Sequence, residues 1–255
     1  TILENFRRAK TYGLQTTVNI AVTRKNIDEL SGTIAEALLS GADSLLINRF
    51  LPGGRGLAFA RDLTLDVEQV NRMLDIAEEV LAAANRFGHV GTELPRCIVH
   101  RRDYRHLAVG NRCAAAQEFF VIGPDGHVRT CNHSPRVLEH VSQIEKLKDN
   151  PYWTQFAFRD YHPTMCQTCP DLFDCDGGCR EGAHVLYGDP SAPDMLLAQI
   201  TGSIAIRGAS EKLSRRNWVV PRGFDTSFSG EMVDASRHPF NPPRARAPKK
   251  LSRGE

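Results

Sequence analysis

The sequence has no apolar run close to the ~18–20 residues that a helix needs to cross a bilayer. It also has no charged segment followed by an apolar one, as a secretory signal would require. Its 255 residues are 41% hydrophobic and 24% charged, which is typical of a soluble globular protein. We therefore expect a cytoplasmic protein with no membrane partner.

The net charge of +2 is small but unevenly distributed. Residues 207–255 contain 11 Lys and Arg against 5 Asp and Glu, a charge of +6, so the preceding 206 residues carry −4. A basic tail can attract nucleic acid or an acidic peptide. Its scattered Pro, Arg, Ser and Gly nevertheless favour a solvated, disordered tail over a nucleic-acid-binding surface.

The first 95 residues alternate between helical and strand patterns. The predicted strands cover residues 15–23, 42–50 and 89–94, and the predicted helices cover residues 1–12, 26–38 and a long segment after Thr64. Asn26 and Glu29 have the spacing of a helix-capping pair. Short links between strands and helices imply parallel strands, and three strands are too few to close a barrel. We predict an α/β fold that is part of a barrel.

Beyond Pro95 the pattern changes to turns and cysteines. Two short strands, Phe119–Ile122 and His127–Thr130, are predicted to form a hairpin around the turn Gly123–Gly126. A region with so little regular apolar pattern needs another source of stability, and bound metal is the expected one. A segment with moderate helical character then runs from residue 198 to about residue 213.

The cysteines are the most informative residues. Their odd number, without an export signal, argues against a disulfide framework and for metal ligation in a reducing compartment. Two thiols separated by two residues can face one metal centre, and the longer gaps can reach a second site. Thiolates suit zinc or iron–sulfur clusters, although zinc sites favour two paired Cys knuckles. The seven are Cys97, Cys113, Cys131, Cys166, Cys169, Cys175 and Cys179.

The spacing Cys113-x12-Gly126-x4-Cys131, followed by Cys166-x2-Cys169-x5-Cys175-x3-Cys179, resembles a known cluster-binding module. This is the SPASM module of radical S-adenosylmethionine (SAM) enzymes that modify peptides and proteins. The segments FVIGPDGHVRTC at residues 120–131 and CDGGCR at residues 175–180 also resemble the family. The resemblance covers roughly residues 1–197.

The resemblance also predicts a division of the chain into three parts. It implies that residues 1–95 are the C-terminal half of a partial (β/α)6 radical SAM barrel. Residues 96–197 would bind two auxiliary [4Fe-4S] clusters. Residues 198–255 would form a helical segment and a basic Pro- and Arg-rich tail.

The resemblance also implies an interleaved ligand set. One cluster would take Cys113, Cys131 and Cys179, with Cys97 as the candidate fourth ligand. The other would take Cys166, Cys169 and Cys175. Its fourth ligand in the family is a later cysteine, and the nearest equivalent position here is Leu197. The second cluster would then have an open iron or a non-cysteine ligand such as Asp194, Asp189 or His184, or would not assemble fully.

A glycine-rich segment, Arg49-Phe-Leu-Pro-Gly-Gly-Arg-Gly56, follows the second predicted strand. Ligands gather at the carboxyl ends of parallel strands. By resemblance to radical SAM barrels, Arg49 and Asn19 would lie on the SAM side of the barrel. The alternative is a glycine-rich turn with a solvated arginine. The segment is not a phosphate loop, because no Gly-Lys-Ser/Thr follows it.

The Cys-x3-Cys-x2-Cys triplet that holds the SAM-cleaving cluster in this family is absent, and the first residue is not Met. We therefore expect a truncated chain that cannot cleave SAM by itself. The complete protein would bind SAM and a third [4Fe-4S] cluster, and would receive electrons from a donor such as flavodoxin or ferredoxin. A 5′-deoxyadenosyl radical would then abstract hydrogen from a peptide or protein side chain, with the auxiliary clusters accepting an electron or binding substrate.

Two other kinds of function remain open on the sequence. One is a radical SAM enzyme that acts on a small-molecule cofactor precursor. The other is a non-catalytic iron–sulfur or zinc-binding module.

Overall fold

A parallel four-stranded sheet organises the first half of the chain in the computed structural model, which describes residues 2–201. Its strands follow the order β1-β2-β3-β4, and each neighbouring pair is parallel. The strands are β1 (Thr17–Val22), β2 (Ser44–Arg49), β3 (Gly88–Val90) and β4 (Leu107–Val109). The α/β class and the parallel arrangement predicted from the sequence are confirmed.

Seven α-helices accompany the strands in the described part of the chain. They are α1 (Ile2–Thr11), α2 (Leu30–Leu39), α3 (Ala60–Leu63), α4 (Val67–Ala83), α5 (Pro151–Ala157), α6 (Arg180–Tyr187) and α7 (Met195–Thr201). A short antiparallel hairpin, β5 (Val121–Ile122) and β6 (Val128–Arg129), lies apart from the main sheet. Both strands fall inside the predicted hairpin segments.

Helices α2 and α4 cover one face of the sheet. Alternate residues of each strand point to this face, so Ile20 of β1 and its partner Ile47 of β2 are buried together. Ile34 of α2 and Leu74 of α4 belong to the same core and are 0% exposed. Hydrophobic periodicity therefore matches burial in this half of the molecule.

The opposite face of the sheet is more open and carries polar side chains. Asn19 of β1 is exposed, and its Oδ1 accepts a hydrogen bond of 3.1 Å from Asn48 Nδ2. The Asn48 Oδ1 in turn accepts from the backbone N–H of Gly91 at 2.7 Å. This line of amide hydrogen bonds crosses the open face from β1 to the end of β3.

The helix-capping prediction was wrong in one place. Asn26 makes no side-chain bond to a helix N-terminus; its Oδ1 accepts from the backbone N–H of Thr23 at 2.7 Å. The observed capping box lies at α4, where Asp66 accepts from the Gln69 N–H and Gln69 accepts from the Asp66 N–H. The side chain of Asn26 satisfies the strand-to-helix turn, so it is not available to the helix.

The main sheet continues past residue 95, the predicted end of the barrel part, because β4 pairs with β3. The described residues all belong to one compact unit. Within residues 2–201, no helix is long and apolar enough to cross a membrane. Helix α7 begins three residues before the predicted helical segment and overlaps its start, while the rest of that segment and the basic tail lie outside the described residues.

Gly126, a fixed point of the cysteine spacing, sits in the hairpin turn with φ +79°. A Cβ atom at this position would lie 2.2 Å from His140 Nε2. Both the left-handed backbone and the close approach of the imidazole require glycine. The turn fixes the register of the hairpin that leads into Cys131.

Candidate metal centre

The cysteines gather at the carboxyl end of the parallel sheet. The chain reaches Cys97 shortly after β3, Cys113 shortly after β4, and Cys131 two residues after the hairpin. Cys179 is the N-cap residue of α6. The structure divides the seven thiols into two groups, which we call the buried group and the cleft group.

The buried group consists of Cys113, Cys131 and Cys179, which are 7%, 6% and 4% exposed. The three thiols interact electrostatically with one another and with the carboxyl group of Glu93. Burial raises the pKa of all three thiols, that of Cys131 to about 12. A bound metal would supply the positive charge that favours the thiolate form of these cysteines.

Glu93 was not identified from the sequence. Burial raises the pKa of its carboxyl to about 7, against the opposing charge of Arg49. Its position three residues after β3 is the available signal, since side chains at the carboxyl ends of parallel strands converge. The carboxyl group of Glu93 raises the pKa of each of the three buried thiols, and Glu181 also raises that of Cys131.

The cleft group consists of Cys97, Cys166, Cys169 and Cys175. These four side chains line one cleft that is partly open to solvent. Leu197 of α7 lines the same cleft. The prediction that Cys97 joins Cys113, Cys131 and Cys179 disagrees with this arrangement, because the turn Arg96–Ile98 presents Cys97 to the cleft.

Both groups have the donor chemistry of an iron–sulfur site. As placed, no three His, Cys, Asp or Glu side chains among residues 2–201 are arranged to chelate a single metal ion. A polynuclear cluster holds its cysteine sulfurs further apart than one ion does, and an open cleft lined by four thiols suits it. The residues present therefore fit an iron–sulfur cluster.

Backbone N–H groups point at several of the sulfurs. Cys175 Sγ accepts from Gly177 at 3.3 Å and from Arg96 at 3.4 Å. Cys131 Sγ accepts from His133, and Cys179 Sγ accepts from Gly182, both at 3.3 Å. Hydrogen bonds to thiolate sulfur are one of the means by which a protein adjusts the potential of a bound cluster.

Two buried carboxylates hold the backbone of the buried group. Asp176 is 0% exposed and accepts hydrogen bonds from the Cys113 N–H, from Arg159 Nε at 2.8 Å and from His162 Nε2 at 3.1 Å. Asp194 is 1% exposed and accepts from the Cys179 N–H at 2.9 Å. Each carboxylate therefore fixes the position of one candidate ligand.

The Arg180 side chain joins the glycine turn before Cys179 to the loop that follows α6. It is fully buried, and its guanidinium donates to the carbonyl oxygens of Gly177, Gly178, Pro190 and Ala192 at 2.6–3.1 Å. Burying a cation is costly unless its hydrogen bonds are satisfied, and here carbonyl dipoles satisfy them. Asp176 and Arg180 belong to the segment CDGGCR, so that motif contained a signal for these supporting residues.

Arg49 does not have the environment predicted for a SAM contact. Its side chain lies on the helix-covered face, 3% exposed, and its two terminal nitrogens bind the Asp194 carboxylate, one of them also the Glu93 carbonyl. The alternation Leu45, Ile47, Arg49 in β2 contained the signal for this face. Asn19 lies on the open face, and its role toward SAM stays a prediction.

The non-cysteine candidates for the cleft are engaged elsewhere. Asp194 binds Arg49 and the Cys179 backbone, and Asp189 accepts from the Ser191 N–H at 2.8 Å. His184 Nδ1 contacts the Tyr152 hydroxyl. None of these three side chains lines the cleft.

The α/β fold of this chain, with its parallel four-stranded sheet, is similar to the fold of a solved protein that was crystallised with S-adenosylmethionine. A crystal structure of Streptococcus suis SuiB bound to S-adenosylmethionine matches the chain with a TM-score of 0.51 and 11% sequence identity. The match covers 76% of this chain and 48% of that one. At this identity the likeness concerns the fold.

The sequence is also similar to proteins named PqqA peptide cyclase. The protein from Xanthomonas campestris pv. campestris (strain B100) is 27% identical over 209 residues, 78% of this chain and 54% of that protein. The protein from Ruegeria pomeroyi is 28% identical over 197 residues, 72% and 50% of the two chains. The chain thus spans about half the length of the curated relatives it matches. No protein-family model matches the chain.

Proposed function

We propose that this chain supplies the auxiliary cluster-binding part of a radical SAM enzyme that modifies a side chain of a peptide. The two thiol groups at the carboxyl end of the parallel sheet carry this proposal. The fold of the SAM-bound SuiB structure supports the enzyme class. The similarity to proteins named PqqA peptide cyclase favours a peptide over a small-molecule substrate.

The residues of this chain have distinct parts in the proposal. The two thiol groups would hold auxiliary iron–sulfur clusters, which supply sites for electron acceptance or substrate binding. Asp176, Asp194 and Arg180 would keep the ligand backbone rigid. The open face of the sheet, with Asn19 and Asn48, would lie toward SAM, and a flavodoxin or ferredoxin would supply electrons.

The first experiment is anaerobic reconstitution of this chain with iron and sulfide, followed by measurement of bound iron, acid-labile sulfide and zinc. We expect iron and sulfide in amounts that correspond to two clusters. Cys166→Ala or Cys169→Ala should remove one cluster and leave the other. Cys179→Ala should damage the cluster in the buried group. Bound zinc without iron or sulfide would overturn the proposal, and equal loss in all three variants would overturn the division into two groups.

The activity itself is tested on the complete protein. It would be incubated anaerobically with SAM, a reductant and a peptide encoded beside its gene. We expect 5′-deoxyadenosine together with a change in peptide mass, and loss of the mass change when Cys179 is replaced by alanine. Cluster redox activity that needs no SAM would identify an electron-transfer module instead.

A further inference from the structure

The four thiols of the cleft group come from two separate segments of the chain. Cys166, Cys169 and Cys175 come from one turn-rich segment, and Cys97 comes from the turn that follows β3. Cys97 interacts electrostatically with Cys175 and Cys169, and Cys166 interacts with Cys97. The structure thus brings a thiol from residue 97 to three thiols about 70 residues further along the chain.

The turn that carries Cys97 is fixed from two directions. On the cleft side, the Arg96 N–H donates to Cys175 Sγ at 3.4 Å, and the Arg96 guanidinium lies 3.5 Å from Asp174. On the core side, Asn71 of α4 donates to the Ile98 carbonyl and accepts from the His100 N–H, both at 2.8 Å. The position of Cys97 is therefore set by hydrogen bonds on both sides of it.

Leu197 explains why a thiol is needed from this direction. Leu197 is the position where the family resemblance placed a cysteine, and it lines the same cleft. Its side chain is 1% exposed and belongs to the main hydrophobic core. An aliphatic side chain cannot ligate iron, and Cys97 is the thiol of the cleft lining that lies outside the Cys166–Cys175 segment.

We propose that Cys97, Cys166, Cys169 and Cys175 together ligate one iron–sulfur cluster, with Cys97 replacing in space the cysteine that Leu197 cannot provide. The inference rests on the proposed function, since it assumes that the chain binds clusters. It leaves the buried group with three thiols and the carboxyl of Glu93 nearby. Thiols lose their protons on binding iron, so the four ligands enter as thiolates.

Replacing Cys97 in two different proteins, the unchanged chain and a variant without the cleft cluster, shows which cluster Cys97 ligates. The double variant Cys166→Ser/Cys169→Ser removes the cleft cluster and keeps the buried one. Adding Cys97→Ser to this double variant should leave the iron and sulfide per chain unchanged, because the partners of Cys97 are already gone. In the otherwise unchanged chain, Cys97→Ser should lower bound iron by up to half or alter the electron paramagnetic resonance spectrum of one cluster.

A second test measures whether the bound cluster protects Cys97 from alkylation, and it does not depend on counting clusters in the variants. Cys97 is exposed, so iodoacetamide should alkylate it in protein that a chelator has stripped of metal. Reconstitution should protect Cys97 together with Cys166 and Cys169, as measured by mass spectrometry of the digested protein. In the Cys166→Ser/Cys169→Ser variant, Cys97 should become reactive again even after reconstitution.

The results distinguish this inference from the proposed function. A chain that binds no iron and sulfide at all overturns both. A chain that binds two clusters, but loses the remaining cluster when Cys97→Ser is added to the double variant, overturns only the assignment of Cys97. The same holds if Cys97 is protected in the reconstituted double variant, because it would then ligate the buried cluster.

Discussion

Arg49 and Asp194 form a buried ion pair across 145 residues of sequence. Arg49 Nη2 lies 2.6 Å and Nη1 lies 3.2 Å from the carboxylate oxygens. The same carboxylate accepts hydrogen bonds from the N–H groups of Cys179 and Leu196, each at 2.9 Å. The pair joins the end of β2 to a candidate ligand and to α7, so it connects the sheet with the cysteine-rich segment.

Replacement of Asp194 should therefore lower the stability of the fold. Burial lowers the pKa of Arg49, but the charge of Asp194 and its hydrogen bonds raise the pKa by more than burial lowers it. The guanidinium is therefore charged. Asp194→Asn leaves that charge buried without its partner, and we expect a loss of about 3–5 kcal/mol in the free energy of unfolding. The matched control is Asp28→Asn in the exposed Arg72–Asp28 pair, where at most about 1 kcal/mol is expected. Urea denaturation of both variants measures the difference; similar losses would contradict this account.

The glycine before Cys179 is required by the Asp194 carboxylate. Gly178 has φ +96°, and a Cβ atom there would lie 2.5 Å from Asp194 Oδ2. Gly178→Ala should destabilise the chain by more than about 1 kcal/mol, because the backbone is strained and the carboxylate must move. Gly32→Ala in α2, where a Cβ meets nothing within 4 Å, should instead stabilise by up to about 1 kcal/mol. Thermal melts of the two variants should shift in opposite directions.

Asn71 should act as a positioning residue for the Cys97 turn. Its side chain is 5% exposed and joins α4 to the Ile98 carbonyl and the His100 N–H. Asn71→Ala leaves these two backbone groups without partners, at an expected cost of about 1–3 kcal/mol. Hydrogen exchange should show faster exchange of the His100 amide in particular. Arg72→Ala, an exposed change on the same helix, should leave that amide protected; equal exchange in both variants would argue against the role of Asn71.

Asp43 should make stability depend on acid pH. Its carboxylate accepts from Lys10 and from the Thr16 N–H, and these bonds lower its pKa from 3.8 to about 2. Because the pKa is lowered on folding, the stabilisation is complete above about pH 4 and disappears as the pH falls through about 2. Asp43→Asn mimics the protonated carboxyl. The melting temperatures of the two proteins should differ at neutral pH and converge near pH 2; a constant difference at all pH values would contradict the assignment.

The apolar pattern of the sequence correctly predicted the longer strands and helices of the first half of the chain. The β-branched run of β1 and the apolar periodicity of α2 and α4 match the observed elements, because each of them buries one face against the others. Strand β4 was not predicted, since its three residues lie beyond Pro95, where turn residues and cysteines obscure the apolar pattern. Asn26 satisfied the spacing of a cap but binds Thr23, because the turn competes for the same side chain.

The sequence by itself determined the parallel α/β architecture, the hairpin around Gly126 and the set of seven candidate thiols, since these follow from periodicity, turn chemistry and residue type. Only the tertiary structure decided how the thiols are shared and which face Arg49 occupies. Cys97 is far from Cys175 along the chain, and its place beside it is set by the hydrogen bonds of Asn71 and Arg96. Such long-range contacts arise from packing of the whole chain, and spacing along the sequence does not encode them locally.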